Sequence, residues 1–166
     1  VRTVYATLAS VFPEIETWEL GTGDLLLVCS FARTPLDAGA LRLRIAEEPY
    51  RTALDVAWRA WDLEGVLAHH VARPSFAKAV ARDFAGDLNT DDRNVIEFGF
   101  ARSLGRNSDE ILAQVRGAAL ASGEHRPVVR GAVDWVAVDR AVASLDFFEG
   151  ASPRPPEVGL APAEVA

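Results

Sequence analysis

Apolar residues recur at three- and four-residue intervals from the start of the chain, with Val4, Leu8, Val11 and Phe12 on one helical face and Pro13 closing the pattern. This spacing predicts an amphipathic helix over residues 2–12. Glu14 to Leu20 then carries Ile15, Thr17 and Trp18, Gly21-Thr22-Gly23 follows, and Asp24 to Ser30 is almost wholly apolar. Two such runs around a glycine turn predict an antiparallel hairpin, and the apolar second run predicts a strand covered on both faces. A helix feeding a hairpin of this kind closes several open α/β sheets.

Further along, Thr34-Pro35-Leu36-Asp37 reads as a helix start, with Thr34 as cap and proline at the first position, and predicts a helix to about Glu48. After Pro49, residues Tyr50 to Trp61 place Leu54, Trp58 and Trp61 on one stripe. Asp62 to Val71 and Ser75 to Asp83 predict two short helices separated by Arg73-Pro74. Gly86 to Asn94 is dense in turn formers and leads into Val95-Ile96-Glu97-Phe98, which reads as a short strand. Asn107 with Glu110 three residues on reads as a capping box for a helix carrying Ile111, Val115 and Ala118. A last helix, about Ala132 to Phe148, has Trp135, Val138, Val142 and Leu145 in line, and residues 151–166, with four prolines, predict a flexible tail.

Composition narrows the partners. The chain has 166 residues, 49% hydrophobic, and a formal net charge of -7 without a basic stripe, which argues against binding a phosphate backbone. A single cysteine, Cys29, excludes a disulfide framework within the chain and suits a reducing compartment. No apolar run approaches the roughly 20 residues that span a bilayer, so membrane insertion by this segment and a secretion signal are not expected. With no methionine and Val1 at the start, the expectation is that translation begins upstream.

The string Asp87-Leu88-Asn89-Thr90-Asp91-Asp92-Arg93-Asn94-Val95-Ile96-Glu97-Phe98, with Ala101-Arg102-Ser103-Leu104 after it, resembles the C-terminal signature of bacterial spermidine-synthase-like proteins (polyamine aminopropyltransferases). It is most similar to long forms in which this domain follows a transporter-like membrane region; Asn94 stands where the usual pattern has proline. Val11-Phe12-Pro13 and the strand Leu25 to Ser30 look like the closing helix and hairpin of that family's Rossmann-like domain. The resemblance covers residues 1 to about 105.

What it implies is an α/β fold: the C-terminal fragment of a Rossmann-like, class I methyltransferase-type sheet ending in an antiparallel hairpin and followed by a mainly α-helical extension. Residues 1–33 would be the closing helix and hairpin, 34–105 a helical cluster with the Asn-Thr-Asp-Asp loop and short strand, 106–149 a helical extension and 150–166 the tail. The implied activity is transfer of an aminopropyl group from decarboxylated S-adenosylmethionine to putrescine. The co-substrate would be held by an upstream Rossmann-like half of the same polypeptide, because the only Gly-x-Gly here, Gly21 and Gly23, is a hairpin turn with no helix behind it. The isolated chain is therefore expected to be inactive, cytoplasmic and without a bound cofactor, and its parent to take a small cationic amine.

Candidate substrate-binding residues are Asn89, Thr90, Asp91, Asp92, Arg93 and Glu97. Adjacent carboxylates such as Asp91 and Asp92 can hold an ammonium group when partly desolvated; in the alternative reading Asn89, Thr90 and Asp91 cap and pin a tight turn through side-chain to backbone hydrogen bonds. Arg93 and Glu97 are candidates for an ion pair, or Glu97 for a substrate amine. Asp87, Asn89 and Asp91 alternate as in a cation loop but lack its later glycine and glutamate. His69 and His70, neighbours on an expected helix, point about 100° apart and do not share a metal. Cys29 reads as a small hydrophobe, and Trp58 with Trp61 as core or as a docking face.

Two other readings stand beside this one. The helices around Trp58 and Trp135 are what a non-catalytic protein-interaction module requires, although no internal period emerges. Another S-adenosylmethionine-dependent methyltransferase-like domain would share the same closing hairpin.

Overall fold

The computed structural model describes residues 1–20, 24–33, 35–95 and 108–151. It is mixed α/β: among the described residues, seven helices surround a three-stranded antiparallel sheet, with a pair of two-residue strands alongside. Helix α1 (Arg2–Ala9) turns Tyr5 and Ala6 inward. Strands β1 (Glu14–Glu19) and β2 (Leu25–Ser30) form the expected hairpin, in register from Glu14 opposite Ser30 to Glu19 opposite Leu25.

The burial of the hairpin is the reverse of the expectation. Strand β4 (His70–Ala72) pairs with the other edge of β1, so the order is β2-β1-β4 and the acid-rich β1 is central. Leu26 and Val28 of β2 are exposed, and only the alternate residues Leu25, Leu27 and Cys29 pack on the core. The apolar run therefore marks an edge strand with one face covered.

Other boundaries move for identifiable reasons. Leu36–Asp37 forms β3, paired in parallel with β5 (Val129–Arg130), so α2 starts at Ala38 rather than near Thr34 and runs Ala38–Ala46. Its cap is Asp37, whose carboxylate accepts from the Ala40 N–H at 2.8 Å. Helix α3 (Tyr50–Trp58) stops at Arg59, a non-glycine residue at φ 51, which takes Trp61 off the expected stripe and leaves it 73% exposed. Helix α4 (Leu63–Ala68), capped by Asp62 on the Gly65 N–H at 2.7 Å, is shorter than expected because the chain straightens into β4 instead of continuing to Val71.

Helix α5 (Pro74–Arg82) begins at a proline, whose missing N–H costs nothing in the first turn. Helix α6 (Ser108–Ala121) buries Leu112, Val115 and Ala119, so of the expected face Ile111, Val115 and Ala118 only Val115 turns inward and the other two are exposed; the expected cap, Asn107, lies outside the described residues. Helix α7 (Trp135–Ala151) starts three residues later than Ala132, capped by Asp134, which accepts from the N–H groups of Val136 and Ala137 at 3.0 Å. Of the expected strand Val95–Phe98, Val95 is helical and the rest lies outside the described residues, as does the tail from residue 152.

Two hydrophobic clusters result. Tyr5, Ile15, Val71, Phe76, Leu112, Val115 and Ala119 join α1, the sheet, α5 and α6, with Tyr5 and Phe76 edge to face at 6.0 Å. Trp18, Ile45, Leu63, Leu67 and Val138 join β1 to α2, α4 and α7. Each fully buried aliphatic side chain, such as Leu63, contributes about 1.5–3 kcal/mol relative to exposure. Because α6 supplies the first cluster and α7 the second, the C-terminal helices share the core of the hairpin.

Candidate functional site

The sequence-predicted loop is a tight exposed turn. Thr90 and Arg93 exchange backbone hydrogen bonds at 3.1 and 3.0 Å, and the Asn89 N–H donates to the Thr7 hydroxyl of α1 at 2.9 Å. This anchors the loop on the helix that precedes the hairpin. Asp91 and Asp92 sit at the tip with their side chains in solvent. In that high-dielectric setting a carboxylate pair holds an ammonium group weakly unless another surface covers it. Arg93 pairs with Asp87 at 3.0 Å, both exposed, a contact that contributes little. Glu97 lies outside the described residues. The turn-forming role of Asn89, Thr90 and Asp91 is thus what the geometry displays.

A second group of polar residues lies deeper in the molecule; sequence reasoning weighed His69 and His70 only as metal ligands and did not single out Glu19, Arg116 or Glu16. Glu19, the last residue of β1, is fully buried, and its Oε2 accepts from the Arg116 guanidinium of α6. Its Oε1 has no hydrogen-bond partner and lies 4.0 Å from Nδ1 of His69, itself buried. His69 Nε2 lies 3.0 Å from the Trp58 carbonyl, which can only accept, so Nε2 carries the hydrogen and Nδ1 the lone pair. The His69 ring stacks on Trp58 at 4.7 Å, and Trp58 stacks on Trp18 at 6.1 Å.

His70, one residue on, faces differently. Its Nδ1 donates to the His125 carbonyl at 3.0 Å, and its Nε2 is 4.0 Å from Glu16, too long for a hydrogen bond. Burial, with the Arg73 charge adding to it, pushes the His70 pKa down to about 4, so the ring is neutral at physiological pH. Burial lowers His69 too and raises Glu16. Among the described residues no group of three or more His, Cys, Asp or Glu side chains could hold a metal ion. Cys29 is free and partly buried, with its thiol pushed up by desolvation, which disfavours the nucleophilic thiolate.

Part of this cluster was legible. Glu19 is in phase with Ile15 and Thr17 at the two-residue period of a strand, which places its carboxylate on the buried face. The placement of the two histidines, His69 ending α4 and His70 opening β4, was hidden by the expectation of a helix through Val71.

Two cavities flank the cluster. One of about 720 Å³ opens between α3, α4 and α7, with Trp58, Trp61 and His69 in its walls; the Trp61 indole N–H donates to Asp55 at 2.6 Å. The other, about 440 Å³, lies between α4, β4, α6 and α7 and is lined by His70, Arg116, His125 and Arg126. No described helix is long and apolar enough to cross a membrane. Comparison of the chain with protein-family models, with curated proteins and with solved structures finds no match in any of the three.

Proposed function

We propose that this chain is the C-terminal portion of a spermidine-synthase-like aminopropyltransferase, supplying the closing hairpin and a bracing loop to a Rossmann-like half encoded upstream. In that reaction the amine lone pair of putrescine forms a new C–N bond to the aminopropyl carbon as its C–S bond to the sulfonium of decarboxylated S-adenosylmethionine breaks. The amine proton passes to an acid in the upstream half, where the co-substrate also binds. The location proposed for the assembly is the cytoplasm.

The observation that carries this reading is the state of β2. Five apolar or near-apolar residues, Leu25 to Cys29, stand on the outermost strand, with Leu26 39% and Val28 48% exposed. A self-contained sheet protects its edge with charges, proline or a bulge, whereas a strand apolar on both faces belongs inside a sheet with layers above and below. The Asn89 bond to Thr7 supports the second half of the reading, since it holds the Asp91-Asp92 tip beside the helix that leads into that sheet.

The test is to express the complete coding region and measure spermidine formation from putrescine and decarboxylated S-adenosylmethionine. Product formed by the complete protein and none by this chain alone is the expected result. A complete protein that binds no decarboxylated S-adenosylmethionine overturns the reading, and methylation from S-adenosylmethionine in its place would assign the related methyltransferase chemistry.

A further inference from the structure

The smaller cavity has the size and chemistry of a ligand site. At about 440 Å³ it falls within the roughly 300–1,000 Å³ usual for small-molecule pockets. Its walls are apolar where Leu67, Leu120 and Val142 meet and aromatic at Trp135. One end is polar and dominated by cations. Arg116 and Arg126 both line it, against a single lining carboxylate, Asp139, in a chain whose net charge is -7.

These polar groups are incompletely used. Arg126 places one nitrogen, Nη2, on both oxygens of Asp139, at 3.1 and 2.9 Å, and its guanidinium carbon lies 5.1 Å from the centre of the Trp135 ring. Its Nε has no hydrogen-bond partner, nor has Nδ1 of His125, nor Nε2 of His70. Three such atoms on residues that line one cavity are more than a packed interior normally leaves, and of them Arg126 Nε is a donor, whereas His70 Nε2 holds a lone pair because its Nδ1 donates to the His125 carbonyl. Arg116 is committed to Glu19 behind the wall, so Arg126 is the cation best placed to turn toward a ligand. The surroundings are electropositive: the charges of Arg126 and Arg73 add to desolvation in lowering His125, with Asp139 opposing them.

We propose that this cavity binds a small amphiphilic organic anion, its carboxylate received by Arg126 at the His125 end and its apolar body lying against Leu120, Val142 and Trp135. A planar guanidinium stacked on an indole keeps its edge donors free for a carboxylate, and the fork matches both oxygens. The exposed position of the Arg126–Asp139 pair, with side chains 43% and 60% accessible, makes exchange of one carboxylate for another inexpensive. This inference is independent of the proposed transferase role.

The test uses the 166-residue chain and octanoate as the probe, with octanol and octylamine as neutral and cationic comparators of the same length, followed by calorimetry and by the Trp135 indole resonance. Saturable octanoate binding is expected, with both comparators and the Arg126→Gln variant about tenfold weaker or more. Leu120→Glu, at a 63% exposed position on the cavity wall, is expected to weaken octanoate similarly while leaving the circular dichroism and thermal midpoint unchanged. Octanol binding as tightly as octanoate, octanoate affinity unaltered in Leu120→Glu, or no saturable binding by octanoate overturns the proposal.

Discussion

Glu19 and His69 meet twice: the Glu19 backbone N–H donates to the His69 carbonyl at 2.8 Å, and the Glu19 carboxylate ends 4.0 Å from the lone pair on His69 Nδ1. Two acceptors facing each other do not stabilise the fold, so the carboxylate depends on Arg116. Removing that guanidinium strands a buried charge. Arg116→Leu is expected to lower unfolding free energy by about 3–5 kcal/mol, and the double variant Glu19→Leu/Arg116→Leu to recover most of the loss. Urea unfolding of the three proteins checks this; a double variant as unstable as the single one would show that the pair's geometry, rather than stranded charge, sets the cost.

His70 predicts how stability depends on pH. Its pKa is about 4 in the folded chain against an ordinary 6.5, so between those values the unfolded chain binds more protons. The stabilisation is complete above pH 6.5 and is lost as pH falls toward 4, amounting to about 3 kcal/mol for the full interval. His69 and His125, also lowered, act in the same direction. Glu16, whose pKa burial raises, acts in the opposite one. The groups facing His70 are Glu16 on β1, Arg73 after β4 and the carbonyl and ring of His125, and all remain in His70→Gln. Subtracting the variant's stability profile from that of the parent sequence should leave the His70 share. A His70 ring titrating near 6.5 by NMR contradicts it.

These histidines mark the limit of what the sequence displays. The hairpin was legible because Glu14 to Glu19 and Leu25 to Ser30 are bounded by proline and glycine and are long enough for their strand character to show. Strand β4 was not, since its three residues, His70, Val71 and Ala72, continue an apolar run that a helix accommodates equally well. Only pairing with β1, more than fifty residues earlier, decides between them. A second long-range pairing, with Val129 and Arg130, makes Leu36 and Asp37 a strand, overriding a Thr-Pro start signal. For the candidate site, the turn formed by Asn89 to Arg93 follows from its residue types, whereas the Glu19, His69 and Arg116 group comes from three elements, of which only Glu19 has a local signature, its strand phase with Ile15 and Thr17.

Asp62 caps the start of α4, the six-residue helix whose other end is His69. Its carboxylate accepts from the Gly65 N–H at 2.7 Å, and with only six residues in the helix one unsatisfied donor is a large fraction of its bonding. Asp62→Ala is expected to cost about 1 kcal/mol, Asp62→Asn much less, because asparagine caps equally well. The tryptophan emission should change in Asp62→Ala alone, as His69 packs on Trp58 at 4.7 Å. Equal losses in both variants would locate the effect in the negative charge at the helix start instead of the cap bond.

The exposed face of β2 makes a prediction about association. Val28 is 48% exposed on a strand whose outer edge pairs with no other strand among the described residues, and Leu26 stands on the same face. An exposed apolar edge strand of this kind recruits another strand, so the chain by itself is expected to self-associate with rising concentration. Val28→Lys places a charge on that surface without removing a core contact, and its effect on unfolding free energy should stay within about 0.5 kcal/mol. Sedimentation velocity should then show the variant remaining monomeric where the unmodified chain forms larger species. Identical sedimentation of the two proteins across the concentration range contradicts the assignment of β2 as an adhesive edge and weakens the case that it was shaped to lie inside a wider sheet. Monomer in the variant, with its thermal midpoint retained, ties the association to this edge and separates it from general instability of the fold.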